Sequence, residues 1–246
     1  MAARHRNWFL LLAVFFLAAA VFLHLSQKPP QPLPADSPTE VADAPPKLLA
    51  LTFDDGPRRS TTLKLLEGLN QRGVQATFFL IGKQIEGNED IIRQMAEGGH
   101  QIGLHTFDHV ELRSLPAAEI RRQLDLTRNA LVSVLGEREF WLRPPYGFVD
   151  DNLLAQADSP LILWSVDPED WHNRSVQREV AHIVSHVQDG DIILMHDIFP
   201  ESVDAALQVI DRLRQAGYAF VTVDDLLLSR GISPQKGEIY RHARPD

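Results

Sequence analysis

Hydrophobic positions divide the chain into three blocks with different patterns. Residues 8–25 are apolar at every position except His24, residues 26–47 are rich in proline, and from Leu48 onward short apolar runs alternate with amphipathic stretches. Alternation of a buried strand with an amphipathic helix is typical of a parallel sheet covered by helices. The pattern therefore predicts one α/β domain behind two N-terminal segments of other kinds.

Seven apolar runs in the third block predict strands, and each is followed by a helix or a loop. We expect strands at residues 48–53, 76–81, 101–104, 140–142, 161–166, 191–195 and 219–223. We expect helices at residues 60–72, 88–98, 116–135, 149–157, 175–188, 201–216 and 224–229. Seven parallel strands with such connections imply a closed or nearly closed barrel over residues 48–232, whose functional groups lie at the carboxyl ends of the strands.

The N-terminal apolar run is long enough to cross a membrane. Its 18 residues make about 27 Å of helix, close to the thickness of a bilayer core. Arg4 and Arg6 precede the run, so residues 1–7 are expected in the cytoplasm. A cleaved signal peptide is the alternative, but the run continues past the small residues at 18–20. We expect an uncleaved single-pass anchor at 8–25 in the cell (inner) membrane, with the following domain periplasmic or otherwise extracytoplasmic.

The segments that flank the predicted domain are polar. Residues 26–47 hold seven of the 16 prolines, which excludes a regular helix or central strand and indicates an extended, semi-rigid linker. Residues 233–246 form a polar C-terminal tail for which the sequence predicts no role.

Composition narrows the chemistry. The chain has 24 Lys and Arg against 33 Asp and Glu, a formal charge of −9, and such an acidic chain is a poor nucleic-acid binder. Cysteine is absent, which excludes a disulfide scaffold, a thiolate metal site and a cysteine nucleophile. Any bound metal must therefore be held by histidine and carboxylate groups.

Two adjacent carboxylates follow the first predicted strand. Asp54 and Asp55 precede Gly56-Pro57. Regular strand alternation would send the two side chains to opposite faces, but a Gly-Pro break lets the backbone turn so that both converge on one pocket. The alternative is an Asp-rich turn that caps the following helix.

A pair of histidines follows the third predicted strand. His105 and His109 are four residues apart, which places them on one face of a helical turn and is typical of a two-histidine metal site. Imidazoles suit zinc or another late first-row divalent ion. His182 and His186 have the same spacing but lie within a predicted helix, so we interpret them as surface or packing residues. His100 is interpreted as a loop or core residue.

Three more predicted strands end in polar loops. These loops are Arg143-Pro144-Pro145-Tyr146-Gly147, Asp167-Pro168-Glu169-Asp170-Trp171 and Leu194-Met195-His196-Asp197. Any one of them could be an incidental polar loop. Five such loops at five strand ends of one barrel predict a functional site.

The five loops resemble the five motifs of a known family. TFDDG, HTFDH, RPPYG, DPEDW and LMH, in this order and spacing, are similar to those of the polysaccharide deacetylases, the NodB-homology or carbohydrate esterase family 4 enzymes, over about residues 48–230. The resemblance implies a distorted (β/α)7 barrel and metal-dependent removal of N-acetyl groups from N-acetylhexosamine units of an extracytoplasmic polysaccharide, peptidoglycan or a chitin-like glycan. One divalent metal is implied, zinc first, with cobalt, nickel or manganese as alternatives. No protein partner is implied.

The resemblance also implies residue roles around the metal. Asp55, His105 and His109 would bind the ion. Asp54 would act as the general base, and Arg143 would contact and orient it.

On the leaving-group side, the resemblance implies a general acid and a substrate pocket. His196 would be the general acid, tuned by Asp170 or, failing that, by Asp167. The backbone N–H of Tyr146 would bind the oxyanion. Two side chains would line the pocket for the acetyl methyl group: Trp171 and Leu194.

Three alternative functions make different demands on these residues. An O-acetyl esterase could use the same groups, because an alkoxide leaves more easily than an amine. An aspartyl-phosphate phosphatase needs a D-x-D pattern, which the adjacent pair of aspartates does not provide. A non-catalytic glycan-binding domain could stack sugars on Trp164 and Trp171, but a binder has no need for both a base and an acid.

Overall fold

The computed structural model describes residues 47–244 of the chain. The predicted membrane anchor at 8–25 and the predicted linker, apart from Lys47, lie outside the described residues. Within residues 47–244, no helix combines the length and the apolar character that a membrane crossing requires.

Strands and helices alternate along the described chain. The strands are β1 (Lys47–Asp54), β2 (Thr77–Leu80), β3 (Gln101–Leu104), β4 (Leu161–Ile162), β5 (Ile192–His196), β6 (Tyr218–Val221) and β7 (Ile239–Tyr240). The α-helices are α1 (Arg59–Arg72), α2 (Glu89–Glu97), α3 (Ala117–Leu135), α4 (Asp151–Gln156), α5 (Val176–His186), α6 (Pro200–Gln215) and α7 (Val223–Ser229). All seven predicted helices and five of the seven predicted strands are present within two residues of their expected bounds.

The strands form a parallel sheet, which confirms the predicted α/β class. The order is β3-β2-β1-β5, and β6 pairs with the first half of β1. Parallel bridges continue the pairing from β3 through Leu142 to β4, and from Val166 to β5. The pairing therefore runs around a closed circuit of unequal strands, a distorted barrel.

Two predicted strands are shorter than expected. The strand predicted at 140–142 is reduced to a single bridge at Leu142, and the one predicted at 161–166 is the two-residue β4 followed by the bridge at Val166. The reason lies in the two prolines that follow Arg143. The next ladder bond would come from residue 144 to the carbonyl of Ile162, but Pro144 has no N–H. Arg143 instead donates from Nε to the carbonyl of Ile162 and from Nη2 to that of Leu163, each at 3.1 Å.

Strand β1 separates the apolar core from the site. Leu49, Leu51 and Phe53 are fully buried in the main core cluster, where Phe53 stacks on Phe78 with ring centroids 5.3 Å apart. Because side chains alternate along a strand, Asp54 points to the opposite face, toward the barrel interior. Alternate residues of β1 therefore pack in the core, and Asp54 lies on the face that lines the barrel interior.

The C-terminal segment, which the sequence sets apart as a polar tail, packs on the barrel. Strand β7 pairs in parallel with β4, and Ala243 is buried. Arg244 Nε lies 2.6 Å from Oδ1 of Asp191, the residue before β5. These contacts involve the amino ends of β4 and β5, opposite the ends that carry the site.

Candidate active site

The carboxyl ends of the strands surround one pocket of about 370 Å³. Parallel pairing places Asp54, the last residue of β1, beside His196, the last residue of β5. The residues that line the pocket come from all five polar loops: Asp54, Asp55, His105, His109, Tyr146, Trp164, Asp167, Trp171, Leu194 and His196. Of the ten residues proposed from the sequence, only Arg143 and Asp170 lie outside this lining, and each contacts a residue within it.

A backbone turn at Asp55 brings the adjacent carboxylates together. Asp55 has a φ of +73°, in the left-handed region that non-glycine residues seldom adopt. The turn therefore begins at the aspartate itself, one residue before the Gly-Pro break that the sequence suggested. Gly56 is needed for packing, because a Cβ there would lie 2.4 Å from Oδ1 of Asp197.

Three side chains converge as a candidate metal site. Oδ1 of Asp55 lies 3.4 Å from Nε2 of His105 and 3.2 Å from Nε2 of His109. A tetrahedral site with zinc–ligand bonds of about 2.05 Å has donor atoms about 3.3 Å apart, so the spacing fits such an ion. Oδ1 of Asp55 is also buried and accepts no hydrogen bond from the described residues. Burial by itself would raise the pKa of Asp55. The contact with His105 and the charges of the nearby imidazoles outweigh burial and lower the pKa to about 2.

The two histidines reach this site from an irregular loop. Thr106 and His109 both have a φ of +59°, so the loop from His105 to His109 is not helical. The two histidines that the spacing singled out lie together beside Asp55, but the expected helical turn is wrong. Nδ1 of His105 lies 2.7 Å from the carbonyl of Arg143, an arrangement that leaves Nε2 free as a ligand.

A fully buried arginine holds Asp54. Nη1 of Arg143 donates to Oδ1 of Asp54 at 2.8 Å and to the hydroxyl of Thr52 at 2.7 Å. The guanidinium carbon also lies 4.2 Å from the centre of the Phe79 ring. Oδ2 of Asp54 lies 3.7 Å from Nε2 of His105. One carboxylate oxygen is therefore fixed by the arginine, and the other lies near the candidate metal ligands.

Asp170, which is fully buried, binds His196 through both of its oxygens. Oδ1 lies 2.7 Å from Nδ1 of the ring, and Oδ2 accepts a hydrogen bond from the backbone N–H at 2.8 Å. Burial works to lower the pKa of His196, but Asp170 outweighs it and raises the pKa to about 9. Asp167 instead accepts from the backbone N–H of Glu169 at 2.8 Å, so Asp170 is the residue that contacts the histidine.

Comparison with known proteins identifies the family of the chain. A family model described as polysaccharide deacetylase matches residues 42–159. A peptidoglycan-N-acetylglucosamine deacetylase of Bacillus cereus is 33% identical over 189 residues, which cover 74% of this chain and 88% of that protein. The chain belongs to the polysaccharide deacetylase family.

Other relatives extend the comparison within the polysaccharide deacetylase family. The peptidoglycan-N-acetylmuramic acid deacetylase PdaC of Bacillus subtilis is 36% identical over 200 residues, 81% of this chain, and the chain spans only 43% of its length. A family 4 acetyl xylan esterase from Clostridium thermocellum, solved with a cobalt ion, superposes with a TM-score of 0.76 at 30% identity. That match covers 80% of this chain and 98% of the esterase chain.

Aromatic side chains form the mouth of the pocket in this polysaccharide deacetylase family member. Tyr146 and Trp171 are 57% and 52% exposed, whereas Leu194 is buried at 3%. The Tyr146 ring lies 5.0 Å from the ring of His109, and its hydroxyl lies 3.5 Å from Nδ1 of that histidine. Tyr146 has a φ of +64°, a strained conformation of the kind found at functional sites.

The remaining histidines from the sequence analysis lie elsewhere. His182 and His186 stack on each other at 4.2 Å on the exposed side of α5, outside the pocket. His100 accepts a hydrogen bond from the backbone N–H of Ala76 at 3.1 Å, and burial lowers its pKa to about 4. These placements agree with the surface and core roles predicted for them.

Several polar residues around the site were not singled out from the sequence. Thr52 helps to hold Arg143. Asp197 is fully buried and accepts a hydrogen bond from the hydroxyl of Thr62, and burial raises its pKa to about 7. A threonine inside the apolar face of a helix and an aspartate directly after His196 are the only sequence signs of this contact.

Proposed function

We propose that the domain is a metal-dependent hydrolase that removes N-acetyl groups from N-acetylhexosamine units of an extracytoplasmic polysaccharide, with peptidoglycan as the first candidate. The observation that carries the proposal is one pocket in which Asp54, held by Arg143, and His196, held by Asp170, flank three side chains that are close enough together to hold a metal ion. The names of the Bacillus relatives support the choice of substrate. Residues 8–25 would anchor the protein in the cell membrane.

Asp55, His105 and His109 would hold one divalent cation. The spacing of their donor atoms and the unpaired, buried oxygen of Asp55 both fit a small tetrahedral ion, with zinc first and cobalt, nickel or manganese as alternatives. When bound, the cation would polarise the acetyl carbonyl and acidify a water molecule.

Asp54 would accept the proton of the attacking water. Arg143 occupies Oδ1 of Asp54, which leaves Oδ2 available for the proton on the side of His105. The arginine is locked by three other hydrogen bonds, so the carboxylate is held in a single orientation. A positioned general base of this kind contributes about 10²–10⁴-fold in rate.

His196 would protonate the nitrogen that leaves. Its Nδ1 is engaged by Asp170, so Nε2 is the atom left to carry the proton into the pocket. An amine is expelled only as a neutral molecule, which makes this proton transfer necessary for an amide substrate. The backbone N–H of Tyr146 would bind the developing oxyanion, and Trp171 and Leu194 would enclose the acetyl methyl group.

An O-acetyl esterase remains the second candidate function. The similarity to an acetyl xylan esterase favours it, and the same base and metal site would act on an ester. The requirement for His196 separates the two, because an ester releases a better leaving group than an amide does.

Acetate release by the full-length protein tests the proposal. N-acetylglucosamine oligomers and acetylated xylan are incubated with and without a chelator, and deacetylation of the amide appears as a loss of about 42 mass units per site. We expect chelator-sensitive release from the N-acetylated glycan, with Asp54→Asn and His196→Ala each at least about 100-fold slower. His182→Ala serves as the control histidine variant. Release from xylan alone would favour the esterase.

A further inference from the structure

A second cavity of about 290 Å³ adjoins the candidate active site. It shares Asp55 and His109 with the first pocket, so the two cavities meet at the candidate metal ligands. A glycan bound with its acetyl group at those ligands would therefore present a neighbouring part of its structure to the second cavity. The aromatic mouth formed by Tyr146 and Trp171 belongs only to the first pocket.

Two cations line the second cavity without an acidic partner. Arg58 and Lys83 are exposed, and neither has a carboxylate oxygen within 4.0 Å among the described residues. Nη1 of Arg58 donates to the carbonyl of Ile198 at 3.1 Å, and Nζ of Lys83 lies 3.4 Å from the carbonyl of Asp108. Most of the donors on both side chains stay available for a ligand.

The surroundings of Arg58 add to this positive potential. Arg58 is the N-cap residue of the 14-residue helix α1, whose first turn contains no acidic residue. A helix N-terminus carries a partial positive charge, which adds to that of the guanidinium. The carboxylate of Asp108, which could have neutralised Lys83, instead accepts from Nε2 of Gln123 at 2.9 Å. Among the described residues that line the cavity, Asp55 is the one acidic residue, and its Oδ1 lies 3.4 Å and 3.2 Å from Nε2 of His105 and His109.

We propose that this second cavity is a subsite for a carboxylate on the glycan, carried by a sugar next to the one that loses its acetyl group. The inference rests on the proposed function and narrows its substrate to an anionic polymer. A guanidinium presents paired donors that match a carboxylate, and an ammonium beside it adds charge without a fixed direction. The carboxylate has two possible sources, a lactyl ether as in muramic acid or the ring carboxyl of a hexuronic acid.

The test compares matched oligomers that differ in charge. Full-length protein is assayed with a muramic-acid-containing tetrasaccharide bearing free lactyl carboxylates, with the same oligomer converted to primary amides, and with a hexuronic-acid-containing N-acetylated oligomer. We expect kcat/KM to fall about fivefold or more when the carboxylates are amidated, mostly through a higher KM, and this difference to shrink as salt is raised. A preference for the hexuronic oligomer alone would assign the ring carboxyl as the source.

Variants that remove a positive charge show whether Arg58 and Lys83 cause the preference for the carboxylate substrate. Arg58→Gln and Lys83→Gln are each expected to reduce the ratio of kcat/KM between the carboxylate and amide substrates, and the double variant is expected to bring it close to one. Arg59→Gln is the matched control, because Arg59 pairs with Asp90 at 2.6 Å and does not line the cavity. A wild-type protein that treats carboxylate and amide substrates alike, or a double variant that keeps the preference, would overturn the subsite.

Binding measurements test the carboxylate subsite independently of the proposed deacetylation. Calorimetric titration of the slow Asp54→Asn protein with the same oligomers gives the carboxylate preference with little turnover. If no oligomer loses acetate, the proposed function fails, and the ratio of dissociation constants for the carboxylate and amide forms still decides whether the subsite exists.

Discussion

Asp170 contacts His196 through both carboxylate oxygens: Oδ1 lies 2.7 Å from the ring nitrogen Nδ1, and Oδ2 accepts a hydrogen bond from the backbone N–H at 2.8 Å. The carboxylate is fully buried, so its charge acts on the imidazolium with little screening by solvent. The contact fixes both the orientation of the ring and its protonation. It also ties the chemistry of the site to pH.

The alkaline limit of activity is expected to follow the His196–Asp170 pair. A general acid works only when protonated, so activity falls as pH rises through the pKa of His196, which Asp170 and the neighbouring charges raise from 6.5 to about 9. In Asp170→Asn the alkaline limb should move to pH 6.5 or below, and kcat at pH 8 should fall at least about 30-fold. The measurement is kcat between pH 5 and 10. Asp204→Asn, a surface variant, should keep the wild-type profile, and an unchanged limb in Asp170→Asn would contradict the assignment.

Arg143 is expected to be essential for stability as well as for orientation of Asp54. Arg143→Met would leave a buried carboxylate without its cation and two strand carbonyls without donors. Breaking a buried ion pair in this way costs about 3–5 kcal/mol. The free energy of unfolding, measured by urea titration, should fall by that amount. Arg122→Met, at an exposed ion pair, should cost less than about 1 kcal/mol, and an equal loss in both variants would be inconsistent with this role for Arg143.

Metal binding should depend on His109 and not on the exposed histidine pair. His109→Ala removes one of three donor atoms, so zinc affinity should weaken by more than about 100-fold. That is more than the loss expected when a residue that only orients a ligand is changed. Competition with a chromophoric chelator measures the affinity. His182→Ala has the same chemistry at a site with the same sequence spacing, and it should bind zinc as the wild type does. Equal affinities in the two variants would rule out the proposed ligand set.

Glu179 is expected to make the fold less stable as pH rises. This residue of α5 is fully buried, and within residues 47–244 neither of its carboxylate oxygens has a hydrogen-bond partner. Burial raises its pKa from 4.5 to about 7. The unfolded chain releases this proton near pH 4.5 and the folded chain near pH 7. The free energy of unfolding therefore decreases as the pH rises from 4.5 to 7, by up to about 3 kcal/mol.

Substitution of Glu179 isolates this contribution. Glu179→Gln should be more stable than the wild type by about 1–3 kcal/mol at pH 8 and similar to it at pH 4.5. Urea titrations at several pH values measure the difference. The exposed Glu67→Gln provides the matched control, and a Glu179→Gln difference that does not change with pH would show that the carboxyl does not titrate in this window.

The sequence indicated which residues would gather at this candidate site because they follow simple periodic rules. Strand alternation predicted that Asp54 and Asp55 would point to opposite faces unless the backbone turned, and the carboxyl ends of parallel strands place all five loops around one pocket. The loop conformations were not predictable in the same way. The left-handed backbone at Asp55 and His109 depends on close packing in three dimensions, and the expected helical turn for the histidines was wrong for that reason.

The elements that sequence reasoning missed depend on contacts between distant segments. The two-residue strand β7 has no periodic pattern of its own, and its pairing with β4 arises from the fold. The strand predicted at 140–142 is reduced to a single bridge, because Pro144 has no N–H with which to continue the ladder to Ile162. Glu179 gives no sign of burial in the sequence, because a glutamate in a helix is usually exposed.

Lys47 begins β1 and Arg244 contacts Asp191 just before β5, so both ends of the described domain emerge at the amino-terminal side of the sheet. The candidate active site lies at the other side, at the carboxyl ends of the strands. Immobilising the domain through either end would therefore leave the entrance of the candidate active-site pocket free. A long, insoluble polymer could reach that entrance even though it cannot diffuse to the protein as a small molecule does.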